Sequence, residues 1–295
     1  MNSKSMGKKQ RLNLTGWGFL IPAMILITCF NLYPMVNAFI SSLKTGTGTQ
    51  LTFAGLSNYL RAFQDDVFVQ SIKNCLFYLI IQVPVMLILA LILASALNNG
   101  HLKFRGVFRT CIFLPCATSL VAYAIVFRSL FATDGFINML LVKLGILSEA
   151  YNFLANPTSA KIVIIIALVW RWTGYNMVFY LAALQNIDSS VYEAAKVDGA
   201  SSIQTFFHIT LPLLKPTVLM TAIMSTNGTL QLFDESMNLT AGGPGNASIT
   251  MSHYIYNTAF KGVPNFGYTS AMSFIILIMV AILAFVQMKV GDDNE

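Results

Sequence analysis

Asn227, Gln231, Asp234 and Asn238 fall at offsets of 0, 4, 7 and 11, a spacing that puts all four on one face of an α-helix. They lie in or just past a run, 216–233, that contains no Asp, Glu, Lys or Arg. Polar groups inside a bilayer are costly, so such a stripe is expected to face a bundle interior or a water-filled path. Amides and a carboxylate in a row can hydrogen-bond the hydroxyl groups of a polar solute, with aromatic rings for any apolar face it carries. Bonding between helices, with no ligand, is the other use of the same groups. Arg171 sits near the middle of the run 162–184, with Tyr175 one turn further on and Asn176 next to it. Insertion scales charge about 2.5–3.5 kcal/mol for an arginine at that depth. It is therefore expected to snorkel, to pair with Asp234 or Glu235, or to face the path, with pairing or snorkelling preferred. The candidates for a translocation path are Asn227, Gln231, Asp234, Tyr175 and Arg171.

Other chemistries find no support. There is no GxxxxGK[ST] phosphate loop, no GxSxG and no HExxH. His101, His208 and His253 are scattered, so no metal ligand set or catalytic residue is expected. Cys29, Cys75, Cys111 and Cys116 lie in apolar stretches without CxxC spacing and read as packing residues. Gly242-Gly243-Pro244-Gly245 lacks a lysine and reads as a turn.

The elements that must position these residues are membrane helices. Of 295 residues, 56% are hydrophobic and 10% charged, against about 25% charged in an ordinary soluble domain. Such a chain cannot build a charged shell, which excludes a soluble enzyme. The net charge of +6 forms no basic, aromatic-interleaved patch, which argues against nucleic-acid binding. Six runs are long and apolar enough to span a bilayer: 17–43, 74–97, 110–127, 162–184, 216–233 and 268–288. The fold class read from them is an all-α integral membrane protein with six transmembrane helices. Pro22, Pro34, Pro84 and Pro115 fall inside runs, which is tolerated where neighbouring helices satisfy the freed backbone groups. Residues 55–73 predict a short amphipathic helix at the outer interface.

Orientation follows from lysine and arginine near the span ends. Lys4, Lys8, Lys9, Arg11, Lys103, Arg105, Arg109, Lys196, Lys215 and Lys289 fall on one side of a six-span layout. Lys44, Arg61, Lys73, Arg128, Lys143, Lys161 and Lys261 fall on the other, in longer loops. Both termini are therefore expected in the cytoplasm of a multi-pass plasma-membrane protein. The first apolar run is too long for a signal-peptide h-region, so it is expected to stay.

The loop 188–212 carries the most specific pattern. Ser190 with Glu193 reads as a capping box that starts a short helix, and Ala194 and Ala195 favour its continuation. Gly199 can take the left-handed conformation that ends it. Ser201 with Gln204 is a second capping box, ahead of Ile203, Phe206, Phe207 and Ile209, and Pro212 marks entry to the next span. Two short helices joined at Gly199-Ala200 are expected, the first with small residues fit for packing into a groove.

Glu193, Ala194, Ala195, Asp198, Gly199, Ala200, Phe206, Ile209, Leu211 and Pro212 together resemble the EAA motif of ABC importer permeases. One departure is Ile203, where that family carries a bulky aromatic residue. Other segments resemble the carbohydrate-uptake, MalF-like branch: Pro22 with Tyr33-Pro34, Gly55 to Tyr59, Thr240 to Pro244, and Phe266-Gly267-Tyr268. The resemblance covers residues from about 16 to 290. It implies the six-helix bundle of a type I ABC importer permease and a coupling helix formed by Glu193, Ala194, Ala195, Asp198, Gly199 and Ala200. It divides the chain into a basic tail (1–16), a permease domain (17–290, its core starting near 70, its coupling loop 188–212) and a short tail (291–295). It also implies partners: a second related permease, an ABC ATPase dimer holding ATP and Mg, and an extracytoplasmic solute-binding protein delivering a carbohydrate. No cofactor is expected on this chain. An ion-coupled secondary transporter, with Asp234 or Glu235 as the ion carboxylate, would leave the 188–212 pattern unexplained. A permease for a phosphorylated polyol would want free cations in the path, and only Arg171 and Arg128 are at hand.

Overall fold

The computed structural model describes residues 8–47, 50–99 and 102–292. Lys4, His101 and the tail residues 293–295 lie outside the described residues. The chain divides into two compact units.

The first unit holds the chain up to Ala62 together with Thr258–Phe274. Its first span runs Gly16–Ser42 and is built from α1 (Lys8–Ile27), a π-helical turn (Thr28–Leu32) and α2 (Tyr33–Ser42). The wide turn ends two residues before Pro34, whose ring would clash with a carbonyl one α-turn back; widening relieves it. A short antiparallel hairpin follows, β1 (Lys44–Thr47) and β2 (Gln50–Phe53), pairing Lys44 with Phe53. The sequence reading missed this hairpin. Then comes α3 (Ser57–Gln64), a short helix over the first part of the expected stretch 55–73, whose remainder from Asp66 belongs to the long helix that follows. Asn58 on α3 donates to the carbonyls of Ser42 (2.9 Å) and Lys44 (2.7 Å), fixing the helix beneath the hairpin. Arg61 lies 4.3 Å above the ring of Tyr268.

The second unit holds Phe63–Asn257 and the chain from Ile275. Its frame is α4 (Asp66–Asn98) packed along α8 (Pro157–Gln185), with α11 (Leu211–Leu230) against both. Asp65 caps α4 by accepting from the amides of Val67 and Phe68, and Asn156 caps α8 in the same manner, ahead of Pro157 at its first turn. Between α4 and α8 lie α5 (Arg105–Ala117), α6 (Leu120–Leu130) and α7 (Phe136–Lys143). After α8 come α9 (Ser189–Val197), α10 (Ser202–Thr205) and a second π turn (Phe206–Thr210), two residues before Pro212. Beyond α11, the chain forms α12 (Asp234–Asn238) and α13 (Met251–Phe260), then α14 (Phe266–Asp292).

Two spans depart from expectation. The third, expected as one helix over 110–127, is α5 and α6 meeting at a 98° bend. Among the described residues, five helices alone are long and apolar enough to cross a membrane, six when the bent pair is counted as one span. Pro115 removes a helical donor there, and the chain leaves helical geometry at Thr118 and Ser119. Pro22, Pro84 and Pro216 lie inside helices that run on past them, whereas α5 ends two residues after Pro115. The fifth span ends as a regular helix at Leu230 and restarts at Asp234, so Asn227, Gln231, Asp234 and Asn238 do not share one uninterrupted helical face.

Two contacts explain how closely the frame is packed. A Cβ on Gly174 of α8 would collide with the carbonyl of Ile112 on α5, so α8 needs glycine at that point. Ala90, Ala94, Met177, Tyr180, Leu181 and Leu214 form a buried cluster where α4, α8 and α11 meet. Small residues on α4 let the backbones approach, as in other membrane bundles.

Candidate functional site

The break in the fifth span opens a cavity of about 510 Å³. Gln82 and Met86 of α4, Leu120 of α6, and Leu168, Trp172, Tyr175 and Asn176 of α8 form one side. Met224, Ser225, Gly228 and Thr229 of α11, with Gln231 to Glu235, form the other. Its polar groups are held in place. Thr229 Oγ1 donates to Gln82 Oε1 at 2.9 Å, joining α11 to α4. Asn176 donates to the carbonyl of Trp172 at 3.0 Å, and Gln231 donates to Asn227. Glu235, 2% exposed, accepts from the hydroxyl of Tyr123 on α6. No Lys, Arg or His lines the cavity among the described residues.

Gln231, Asp234 and Tyr175 thus reach the cavity, and Asn227 is tied to it through Gln231. Asn238 and Arg171 are not among the lining residues. The preferred ion pair of Arg171 with Asp234 or Glu235 is not formed. Its guanidinium instead donates to the carbonyls of Pro115 (3.2 Å), Cys116 (3.2 Å) and Thr118 (2.9 Å) and to Thr118 Oγ1 (3.3 Å). The Pro115 carbonyl also accepts from the Thr118 N–H (3.3 Å) and Oγ1 (2.7 Å), and the charged donor adds to these bonds where α5 ends. Reading from sequence passed over Gln82, Trp172 and Thr229. Gln82 left a signal: it is an amide in the otherwise apolar run 74–97.

A second polar network sits beside the cavity, at residues 236–253. Ser236 donates to the carbonyl of Ser248 or bonds His253 Nδ1 at 2.8 Å, and Thr250 donates to the carbonyl of Leu232 at 2.6 Å. Asn74 of α4 donates to the carbonyl of Ile249 at 2.8 Å. The Gly242–Gly245 segment is the turn expected, with positive φ at Gly242 (78°) and Gly245 (56°). These bonds fix the chain just past the break, so the cavity wall is anchored.

The loop 188–212 has the two short helices expected, with one correction. Asp188, not Ser190, caps α9, accepting from the Ser190 amide at 2.9 Å. That amide holds the exposed Asp188 carboxyl below its ordinary pKa. Ala200 N–H donates to the Ala195 carbonyl (2.9 Å) and Gly199 N–H to that of Lys196 (3.2 Å), a paired closure with Gly199 at φ 76°. Ser201 and Gln204 form the expected capping box. Glu193, Ala194 and Asp198 face outward, Ala200 is half-buried, and Ala195 is buried. Val197 (87% exposed), Ile203 (73%) and Phe207 (58%) add an uncovered apolar surface.

The sequence profile described as binding-protein-dependent transport system inner membrane component matches residues 86–291. The chain is 51% identical over 289 residues to the lactose transport system permease protein LacF of Rhizobium radiobacter, covering 97% of each. It is 33% identical to the trehalose/maltose transport system permease protein MalF of Thermococcus litoralis, covering 98% of each. A crystallised bacterial ABC transporter involved in the import of the acidic polysaccharide alginate shares the fold, with TM-score 0.83 and 22% identity, over 96% of this chain and 97% of that one. A helical chain with a broken-span cavity and a looped helix pair on its surface is therefore a transport component that crosses the membrane several times, and it belongs to the family of binding-protein-dependent transport system inner membrane components, the ABC importer permeases.

Proposed function

We propose that this chain carries an uncharged sugar, of disaccharide size, inward across the plasma membrane by alternating access. The cavity is the observation that carries this reading. Its volume lies within the range of about 300–1,000 Å³ usual for small-molecule sites. Amides of Gln82, Asn176 and Gln231 and the Asp234 carboxylate can bond hydroxyls, while Trp172, Tyr175 and Phe233 offer flat apolar faces. The relatives named for lactose and for trehalose/maltose support a neutral saccharide. A phosphorylated polyol would meet two carboxylates and no cation, since Arg171 is spent on backbone carbonyls.

The chain works with a second related permease, an ABC ATPase dimer that binds ATP and Mg, and an external solute-binding protein. The loop 188–212 docks on the ATPase through α9, Gly199 and the exposed Val197 and Ile203. Both termini and this loop then face the cytoplasm, in keeping with their basic residues. ATP and the loaded receptor favour the outward-open state through their differential affinity for it.

Uptake of labelled lactose by vesicles holding the whole transporter tests this reading. Uptake is expected to require ATP and to be competed by neutral disaccharides but not by glycerol phosphate. Uptake that follows an ion gradient without ATP, or that glycerol phosphate blocks, overturns it.

A further inference from the structure

Arg171, Tyr123 and Glu235 lie on three different helices, α8, α6 and α12, and form one unbroken run of contacts. Arg171 is 4% exposed and binds the carbonyls of Pro115, Cys116 and Thr118 at the bend of the third span. Its guanidinium carbon also lies 4.7 Å from the centroid of the Tyr123 ring, one turn into α6. Tyr123, 3% exposed, then donates its hydroxyl to Glu235. Glu235 lines the cavity and is the second residue of the helix that follows the break in the fifth span.

We propose that Arg171 is a positioning residue for transport: it fixes the bend of the third span and, through Tyr123, sets where the Glu235 carboxylate stands in the cavity. A cation buried only to stabilise the bend would need no ring and no carboxylate beyond it. A carboxylate placed only by its own helix would need no tyrosine reaching from α6. The run therefore couples two broken spans, so that the bend and the cavity wall shift together. Lysine cannot reproduce the role. Its single ammonium cannot reach both sides of the planar fork that guanidinium offers to separate carbonyls.

This inference shares the cavity with the transport reading, so its test includes a readout independent of the sugar. Hydrogen exchange is measured by mass spectrometry on the assembled transporter, with Arg171→Lys, Tyr123→Phe and the double variant. Removing a hydrogen bond to a charged group is expected to speed local exchange about tenfold. Arg171→Lys should do so both at 116–125 and at 233–239, and Tyr123→Phe at 233–239 alone. The double variant should exceed Arg171→Lys by little at 233–239, since both act through one run. Uptake KM should rise in each variant with the maximal rate kept. If Arg171→Lys speeds exchange at 116–125 and leaves 233–239 unchanged, or if the two effects simply add, the coupling is wrong. Should Arg171→Lys fail to assemble, Tyr123→Phe decides: unchanged exchange at 233–239 overturns the proposal. A wild type that takes up no lactose fails the sugar reading but leaves the exchange result standing.

Discussion

The loop 188–212 and the cavity are both built from broken helices, yet they are held by different kinds of bond. In the loop, the bonds that set the shape join Asp188 to Ser190, Ser201 to Gln204 and Ala200 to Ala195. In the cavity, they join Thr229 to Gln82 and Glu235 to Tyr123, separated by 147 and 112 residues, and beside it Arg171 joins Pro115 across 56. The loop can keep its form when the bundle shifts, because little of it depends on the bundle. The cavity has no form apart from the bundle. The proposed function uses both: a loop that keeps its form as a handle and a cavity whose shape follows the helices.

The largest expected effect comes from breaking the frame that the cavity depends on. Gly174→Val places a branched side chain against the Ile112 carbonyl, and the yield of assembled, monodisperse transporter is expected to collapse. Gly199→Val acts on the handle instead. A Cβ there meets nothing within 4 Å, so only the backbone at φ 76° is strained. Left-handed geometry costs a branched residue at least about 1–2 kcal/mol. Insertion should therefore be normal, while sugar-stimulated ATP hydrolysis and uptake fall about tenfold. If Gly199→Val also lost assembly, the two regions would not be separable in this way.

The smallest effect is expected at Asp188. Its carboxyl is held below the ordinary value, so its cap is present above that value and is lost only as the pH falls through the lowered one. Proteolysis at Glu193 should be unchanged between pH 7 and pH 5, and faster at either pH in Asp188→Ala. A pH-dependent change in that window would mean that the loop leans on groups beyond its own helix.

The same contrast explains what could be read in advance. Gly199, the Ser201–Gln204 box and the six apolar runs were legible because each signal lies within a few residues of its effect. The capping residue of α9 was misplaced from Asp188 to Ser190 because both types suit the position and stand two apart. The bend in the third span was not legible. Pro115 marked a weakness, but Pro84 did too, and that helix runs on. The difference lies in a partner, since a buried guanidinium stands ready for the carbonyls at the bend, and only the fold brings Arg171 there. For the same reason the stripe from Asn227 to Asn238 could be seen as polar but not as broken. A helical wheel assumes an uninterrupted helix, and the interruption at Gln231–Phe233 is stabilised by Ser252 donating to the Gln231 carbonyl (3.0 Å) and Thr250 to that of Leu232.

The π turn at Phe206–Thr210 places one surplus residue between handle and cavity. A surplus residue rotates everything after it by about 100° relative to a uniform α-helix. Ile203 and Thr229 are thus out of phase with any wheel drawn through both. In the coupling proposed above, a twist delivered at the loop would reach the cavity wall with that angular offset already built in, its direction set by a single residue count.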